Sequence, residues 1–545
     1  ADVINHEIAH MWFGNLVTME WFDDLWLKEG FATFIGYSIL DELEPDKNAW
    51  LRFHQRVKPP AYRVDVTEGT TPVFQELGNL DDAKSNYGAI VYNKAPSILK
   101  ALETRIGKED FRQGVRLFLK QHAWGNASWS QLLEAFEKAA DEKLRGWSRW
   151  WILTAGMPRV RASWKTGAEG TIIAFRVAQE PIQQKIDGAW PMTVPILAMQ
   201  ENGNTETRLI RLDKKETEVP DLLGTPAPAW VLLNHLDTAY GQFLLDERSR
   251  DHLLRSLPAI QDPFLRVVAF TAMFETVREA ELSPEKFAEL AQKMLEDEND
   301  PLTHAQVVAA LSTTLDRYLD PEKAKPLRSE TASMLRRQLR NGELPGLELQ
   351  AYRALTRLGR DEETMDLFEK VLDGKLELPG LSLGDQDRFL TVAALLAAGQ
   401  RNADARLASM SKKGDVEKYA YLAGAAAPDP KTKERYFKTY LDPKEPPEQW
   451  VQASLGYFHW PGQEKLCLPF LPEALKQVEW VKKHRKIFFM PAWIDSFINA
   501  HSSRVALQVA ENFLELGDDL PIDIRRKLLQ SIDGLRRAVK IRSKQ

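Results

Sequence analysis

The chain of 545 residues contains one cysteine, Cys467. An intrachain disulfide is therefore impossible, which excludes the disulfide-stapled secreted scaffolds. The thiol is flanked by Leu466 and Leu468 and reads as a buried core cysteine. A lone thiol fits the cytoplasm and leaves a periplasmic location open. No apolar run is long enough to span a membrane as a helix. Charge of one sign is also scarce: 72 Lys and Arg against 78 Asp and Glu give a net charge of -6, with no long block of either sign. Nucleic-acid binding therefore has no support. The basic stretch Arg525 to Lys544 is interleaved with Leu, Ile and Val and reads as a solvated helix face. The acidic run Glu296 to Asp300 reads as a helix end and loop. There is no strict internal repeat.

Histidine is scarce as well, with ten in the chain, yet two of them stand four apart at the start: His6-Glu7-Ile8-Ala9-His10. On a helix, positions i and i+4 share a face, so His6 and His10 can turn both rings to one metal. Glu7, one residue round the helix, can reach the open side of that metal as a base. A catalytic zinc needs three protein ligands and one position for water. Glu29 is the natural third ligand, and one zinc ion per chain is expected. Zinc would acidify its water and polarise a carbonyl. Glu7 would take the water's proton and pass it to a leaving amine. Ile4, Ile8, Met11, Trp12 and Phe13 predict that this helix is buried, where unpaired polar groups would be costly. Asp23 is placed to cap a second helix carrying Glu29 beside Leu25, Trp26 and Phe31. Asp23, Asp24 and Asn15 are the candidates for orienting the histidine rings. The other histidines, among them His54, His122, His235 and His459, form no ligand pairs and read as surface or satisfied core residues.

The longer stretch His6 to Ala32, HEIAHMWFGNLVTMEWFDDLWLKEGFA, resembles the aminopeptidase N family of zinc metallopeptidases, the gluzincins. The W-F-G-N-x-V-T and D-L-W-L-K-E-G-F-A stretches carry the likeness, and weaker similarity extends over most of the chain. The resemblance implies removal of N-terminal amino acids from peptides with a free N-terminus. It also implies a tyrosine that stabilises the oxyanion, in a Y-x-K-G/A-like motif before a helix. Here that stretch is Ala89 to Leu99, which makes Tyr92 the expected donor and Tyr87 its competitor. Pro96 is tolerated only in the first turn of a helix, so the helix should begin near Lys94 with Tyr92 just outside it. The family reads the substrate's amino group with a glutamate in a G-x-M-E-N motif upstream of the zinc helix, and this chain has no such motif. The chain is accordingly expected to be N-terminally truncated, lacking an N-terminal β domain and the sheet half of a thermolysin-like catalytic domain. Trp12, Phe13 and Trp21 would then be left exposed, and activity of the isolated polypeptide would be weak.

The expected fold is multidomain and mainly α. Residues 1–155 read as the helical half of a thermolysin-like domain, with helical spacing at Phe111 to Leu119, Trp129 to Ala140 and Trp147 to Leu153, and a cap at Ser128. At Gly156-Met157-Pro158 the period changes. Ile173, Phe175 and Val177 alternate, and Met192 to Gln200 and Thr205 to Leu212 flank the hairpin signal Asn202-Gly203. Ala229 to Leu236 and Gln242 to Leu245 read as closing strands, so 156–246 is expected to form a small β-sandwich. Residues 247–545 read as a large helical domain, HEAT-like by resemblance, with helix starts at Ser283-Pro284-Glu285 and Asp320-Pro321-Glu322. Oligomeric state is not legible.

Three other functions share features with this pattern. A thermolysin-like endopeptidase has the same H-E-x-x-H and distant Glu, but the residues around Glu29 fit the aminopeptidases better. An epoxide hydrolase of the leukotriene hydrolase kind uses the same ligands with a shorter helical domain. A non-catalytic scaffold could bind peptide on its helices, against which the intact His6, Glu7, His10, Glu29 and Tyr92 argue.

Overall fold

The computed structural model describes residues 2–45, 48–79, 88–183, 185–410, 416–444, 446–517 and 519–545. Tyr87 lies outside the described residues. The chain folds as two compact units, residues 1–276 and 277–545.

The first unit begins with helices α1 (Asp2–Ala9) and α2 (Trp26–Leu43), joined through a short strand β1 (Val17–Met19) and a 3-10 turn at Phe22–Asp24. Helices α3 (Ala49–Arg56) and α4 (Lys58–Asp65) follow. A π-helical turn at Ile90–Lys94 then runs straight into α5 (Ala95–Ile106). Helices α6 (Lys108–His122), α7 (Trp129–Ala140) and α8 (Arg145–Trp151) complete the helical part, with strand β2 (Gly125–Ala127) pairing parallel to β1. Ser128 starts α7 with a capping box shared with Gln131, as its position before Trp129 predicts.

Helix α2 is the axis of this part. Leu25, Trp26, Phe31 and Phe34 are at most 2% exposed and feed one apolar core. Two glycines let neighbours come close. A Cβ on Gly30 would stand 2.8 Å from the Cβ of Ala95 on α5, and one on Gly36 would stand 3.2 Å from the His6 amide nitrogen on α1.

The seating of α1 on α2 is narrow, and this corrects one expectation. Ile4, Ile8, Met11 and Trp12 are 47 to 63% exposed, because α1 meets α2 through Asn5, His6 and Ala9 and no described element covers its other side. Trp21 is also exposed, whereas Phe13 is buried and stacks on Phe31 at 4.4 Å. A second correction concerns Asp23. It caps no helix, since α2 continues directly from the 3-10 turn and the Asp23 carboxylate instead accepts from the Leu77 amide at 2.6 Å.

From Pro158 the chain is a β structure of two antiparallel-rich sheets. One orders β7 (Glu216–Glu218), β4 (Ile172–Pro181), β3 (Pro158–Thr166) and β9 (Gln242–Leu244); the other orders β6 (Thr205–Leu212), β5 (Met192–Met199) and β8 (Trp230–Leu233). Strand β6 alternates exposed and part-buried residues, as a sheet edge should, while central β5 is buried on both faces along Met192 to Ala198. Met199 pairs with Thr205, and Gly203 turns the hairpin at a φ of +84°.

The second unit is helical throughout its described residues. Its starts repeat one local device. Ser283, Asp300, Asp320 and Asp429 each accept a backbone N–H two or three residues on, and each precedes a proline that fits the first helical position. Trp493, Tyr440, Phe458 and Phe497 lie at the centre of its core. The face of Leu528, Ile532, Leu535 and Ile541 in the last helix, Ile522–Arg542, is buried, and Cys467 is 1% exposed. His459 departs from the expectation of a surface or satisfied core histidine: the residue is half-buried, yet both ring nitrogens are shielded from water and neither has a hydrogen bond among the described residues.

Candidate metal centre

Helical spacing places His6 on α1 and His10, one residue past its end, on the same side looking at α2, and Glu29 stands on the first turn of α2. The result is a tight triangle. The two Nε2 atoms are 3.1 Å apart, and the Glu29 Oε2 lies 3.4 Å from that of His6 and 3.3 Å from that of His10. The edge of a tetrahedron with zinc-like ligand bonds of about 2.0–2.1 Å is about 3.3 Å long. The three atoms are thus spaced as ligands of one small tetrahedral cation, and two imidazoles with a carboxylate are the donor set such a cation takes. Among the described residues this is the one group of three such donors close enough to share an ion.

Both rings are held from behind. His10 Nδ1 lies 2.9 Å from the Phe13 carbonyl oxygen, and His6 Nδ1 lies 3.2 Å from the Thr33 hydroxyl. A carbonyl can only accept, so Nδ1 of His10 carries the proton and Nε2 keeps its lone pair for a metal. Thr33 was not foreseen. Its signal is its spacing, four residues beyond Glu29 and so on the same face of α2. The side chains of Asp23, Asp24 and Asn15 make no hydrogen bond to the histidine rings. The Asp24 carboxylate accepts from the Trp129 amide at 3.0 Å, and the Asn15 amide points at the Met11 sulfur. Those side chains serve turns because the loop Gly14–Asp24 leaves the triangle and returns through β1.

Glu29 is 4% exposed, and burial alone would raise its pKa. The His6 ring and the Lys28 ammonium, 3.0 Å from its Oε1, outweigh that and hold the carboxyl down at about 2. It is a carboxylate at any neutral pH. Glu7 is exposed on α1 between the two histidines, free of the core.

Tyr92 is half-buried, and its ring centroid stands 6.4 Å from that of His6. It is not outside the helix as Pro96 had implied. Ile90 to Lys94 form a π turn in which the Ala95 amide reaches back to the Ile90 carbonyl. Pro96 has no N–H to give, and the Ser97 hydroxyl donates to the Asn93 carbonyl at 2.8 Å. The wider turn absorbs the proline without ending the helix, a form that recurs at functional sites. Lys94 closes the turn from beneath: its ammonium is 2.9 Å from the Asp65 carboxylate and 2.7 Å from the Gly156 carbonyl oxygen.

The sequence agrees with known proteins in two blocks. Residues 1–151 match the peptidase family M1 domain, and residues 230–537, more than half the chain, match the ERAP1-like C-terminal domain. Aminopeptidase N of Streptomyces lividans is 31% identical over 89% of this chain and 59% of its own length. The tricorn protease-interacting factor F2 of Thermoplasma volcanium is 37% identical over 36% of this chain and 25% of its own. The leucyl aminopeptidase of Saccharolobus solfataricus is 36% identical over 30% of this chain and 21% of its own. The chain thus spans between a fifth and three fifths of these relatives. With both blocks present in order, the chain belongs to the aminopeptidase N family, peptidase family M1.

Proposed function

We propose that the chain carries the metal centre of a zinc-dependent aminopeptidase, which hydrolyses N-terminal amino acids from peptides. The triangle of His6 Nε2, His10 Nε2 and Glu29 Oε2 carries this reading. One zinc ion per chain would be held by these three residues. When bound, zinc supplies Lewis acidity to the scissile carbonyl and acidifies the attacking water.

The chain's own side chains do the rest. Glu7 accepts the proton of the attacking water and returns it to the departing amine. The Tyr92 hydroxyl, beside His6, donates to the carbonyl oxygen as negative charge grows there. The Phe13 carbonyl and the Thr33 hydroxyl fix the rings, and Lys28 helps keep Glu29 ionised. The choice of exopeptidase over endopeptidase rests on the relatives named as aminopeptidases. The same reading divides the chain into a catalytic part (1–155), a β-sandwich spacer (156–246) and a helical domain (247–545).

The test is metal content by mass spectrometry together with hydrolysis of an aminoacyl anilide and of its N-acetylated form. One zinc per chain and cleavage of the free form alone are expected. Glu7→Gln should keep the zinc and lower turnover by about 10²–10⁴-fold. Tyr92→Phe should keep the zinc and lower turnover by about 10²–10³-fold. Normal turnover in Glu7→Gln would remove the base assignment, and zinc retained in His10→Ala would remove the ligand set.

A further inference from the structure

Lysines are rarely buried without an acceptor, since an unmet ammonium is costly away from water. Among the described residues four are buried: Lys58, Lys94, Lys100 and Lys433. Lys58 reaches the Asp237 carboxylate and the Ala239 carbonyl oxygen, each at 2.7 Å. Lys94 has Asp65 and Gly156. Lys433 donates to the carbonyls of Ala425 and Phe458. Lys100 differs. It is 6% exposed, and its ammonium lies 4.2 Å from the centroid of the Trp50 ring, yet among the described residues it makes no hydrogen bond or ion pair. The ring face attracts the cation but leaves its N–H groups unmet.

The ammonium borders a cavity of about 500 Å³, within the usual size range of small-molecule sites. Thr238 also lines it, with its hydroxyl turned away into the protein. The rest of the lining is mixed. Trp50 and Phe264 are apolar walls, Asp41 and Glu103 are carboxylates, and Lys108 and neutral polar side chains also line it. The cavity lies apart from the metal centre. Asp41 is twelve residues beyond Glu29 on α2, about 18 Å along the helix, and Lys100 is eight residues beyond Tyr92, about 12 Å.

We propose that this cavity is a second binding site, for a zwitterionic free amino acid with an apolar side chain. Its carboxylate meets the Lys100 ammonium, its ammonium meets Asp41 and Glu103, and its side chain lies against Trp50 and Phe264. A plain anion would meet repulsion from the two carboxylates, and a plain cation would meet it from Lys100 and Lys108; a ligand of both charges complements the two carboxylates and the ammonium together. The proposal stands on the cavity and not on the activity assigned to the metal centre.

The experiment is calorimetric titration of the full chain with L-leucine after metal removal with a chelator, so that the metal centre takes no part. Saturable binding at one site is expected. Lys100→Met, an apolar replacement of similar length, should weaken it at least about tenfold, as should Glu103→Gln made separately, each checked for native circular dichroism. Leucinamide, without the carboxylate, and N-acetylleucine, without the ammonium, should each bind at least about tenfold more weakly than leucine. The proposal is overturned by absence of saturation below about 10 mM, a concentration at which even millimolar affinity would show. It is equally overturned by unchanged affinity in both variants, or by N-acetylleucine or leucinamide binding as tightly as leucine.

Discussion

Lys94 and Asp65 form an ion pair at 2.9 Å in which neither side chain has any exposure, two residues from Tyr92 along the chain. Asp65 also accepts from the Thr70 hydroxyl at 2.7 Å, and Lys94 donates to Gly156. The pair ties the π turn to the end of α4 and to the start of the β structure. Breaking such a pair leaves one charge buried alone. Lys94→Met should therefore cost about 3–5 kcal/mol of stability, while Lys94→Met with Asp65→Leu should cost distinctly less. Urea unfolding of the two variants makes the comparison. Equal losses would show that the two charges are not coupled.

Thr33 would act on a bound metal only through His6, whose Nδ1 it contacts at 3.2 Å. Thr33→Val keeps the shape of the side chain and removes the hydroxyl. Zinc affinity should fall by about 10–100-fold, the usual effect of losing a partner behind a ligand. Thr33→Ser keeps the hydroxyl and should restore most of the affinity. Competition with a chromophoric chelator reads both. An unchanged affinity in Thr33→Val would mean that the turn at Phe13 and the packing of α1 suffice to hold the rings.

The contrast between Thr33 and His6 shows what could be read from the sequence. The meeting of His6, His10 and Glu29 is legible because a shared metal site would demand particular side chains at helical spacing, and so is the family stretch around them. The strands are legible for the same sort of reason: Met192 to Met199 and Thr205 to Leu212 are simple patterns joined by a turn that needs Gly203. Thr33 is a common residue doing a common thing, and only the approach of α1 gives it a partner. The exposed face of Ile4 and Ile8 failed for the opposite reason. Apolar residues at helical spacing say that a face can be covered, and they do not say what covers it. Tyr92 lay between these cases. The resemblance singles it out, but the π turn that carries it depends on Ser97 bonding the Asn93 carbonyl and on Lys94 reaching the distant Gly156 carbonyl.

The geometry of the site also depends on a position with no side chain. A methyl on Gly30 would meet the Ala95 Cβ at 2.8 Å and push α5, with Tyr92 at its head, away from α2. Gly30→Ala should cost about 1–3 kcal/mol by overpacking and lower turnover with little loss of zinc. Moving the methyl back, with Gly30→Ala and Ala95→Gly together, should recover part of both losses. Stability and turnover measured side by side decide the matter. A fully active, fully stable Gly30→Ala would show that α2 and α5 can separate freely.

Asp24 gives a prediction in pH. It is 4% exposed, and burial raises its pKa from 3.8 to about 7, against the hydrogen bond it accepts from the Trp129 amide. A carboxyl raised on folding binds its proton more tightly in the folded state. Its contribution to stability is therefore complete below its unfolded value near pH 4 and is lost as pH rises through about 7. Asp24→Asn removes the titration and keeps an oxygen for the Trp129 amide. The stability of the parent relative to this variant should fall by about 1.4 kcal/mol per pH unit between roughly pH 4 and 7, then level off. Groups that titrate elsewhere are common to both chains and cancel in the difference. Urea midpoints at several pH values across that window measure it. A difference that stays flat would mean that Asp24 is ionised in the folded chain throughout, with its burial offset by the amide and by water reaching its second oxygen.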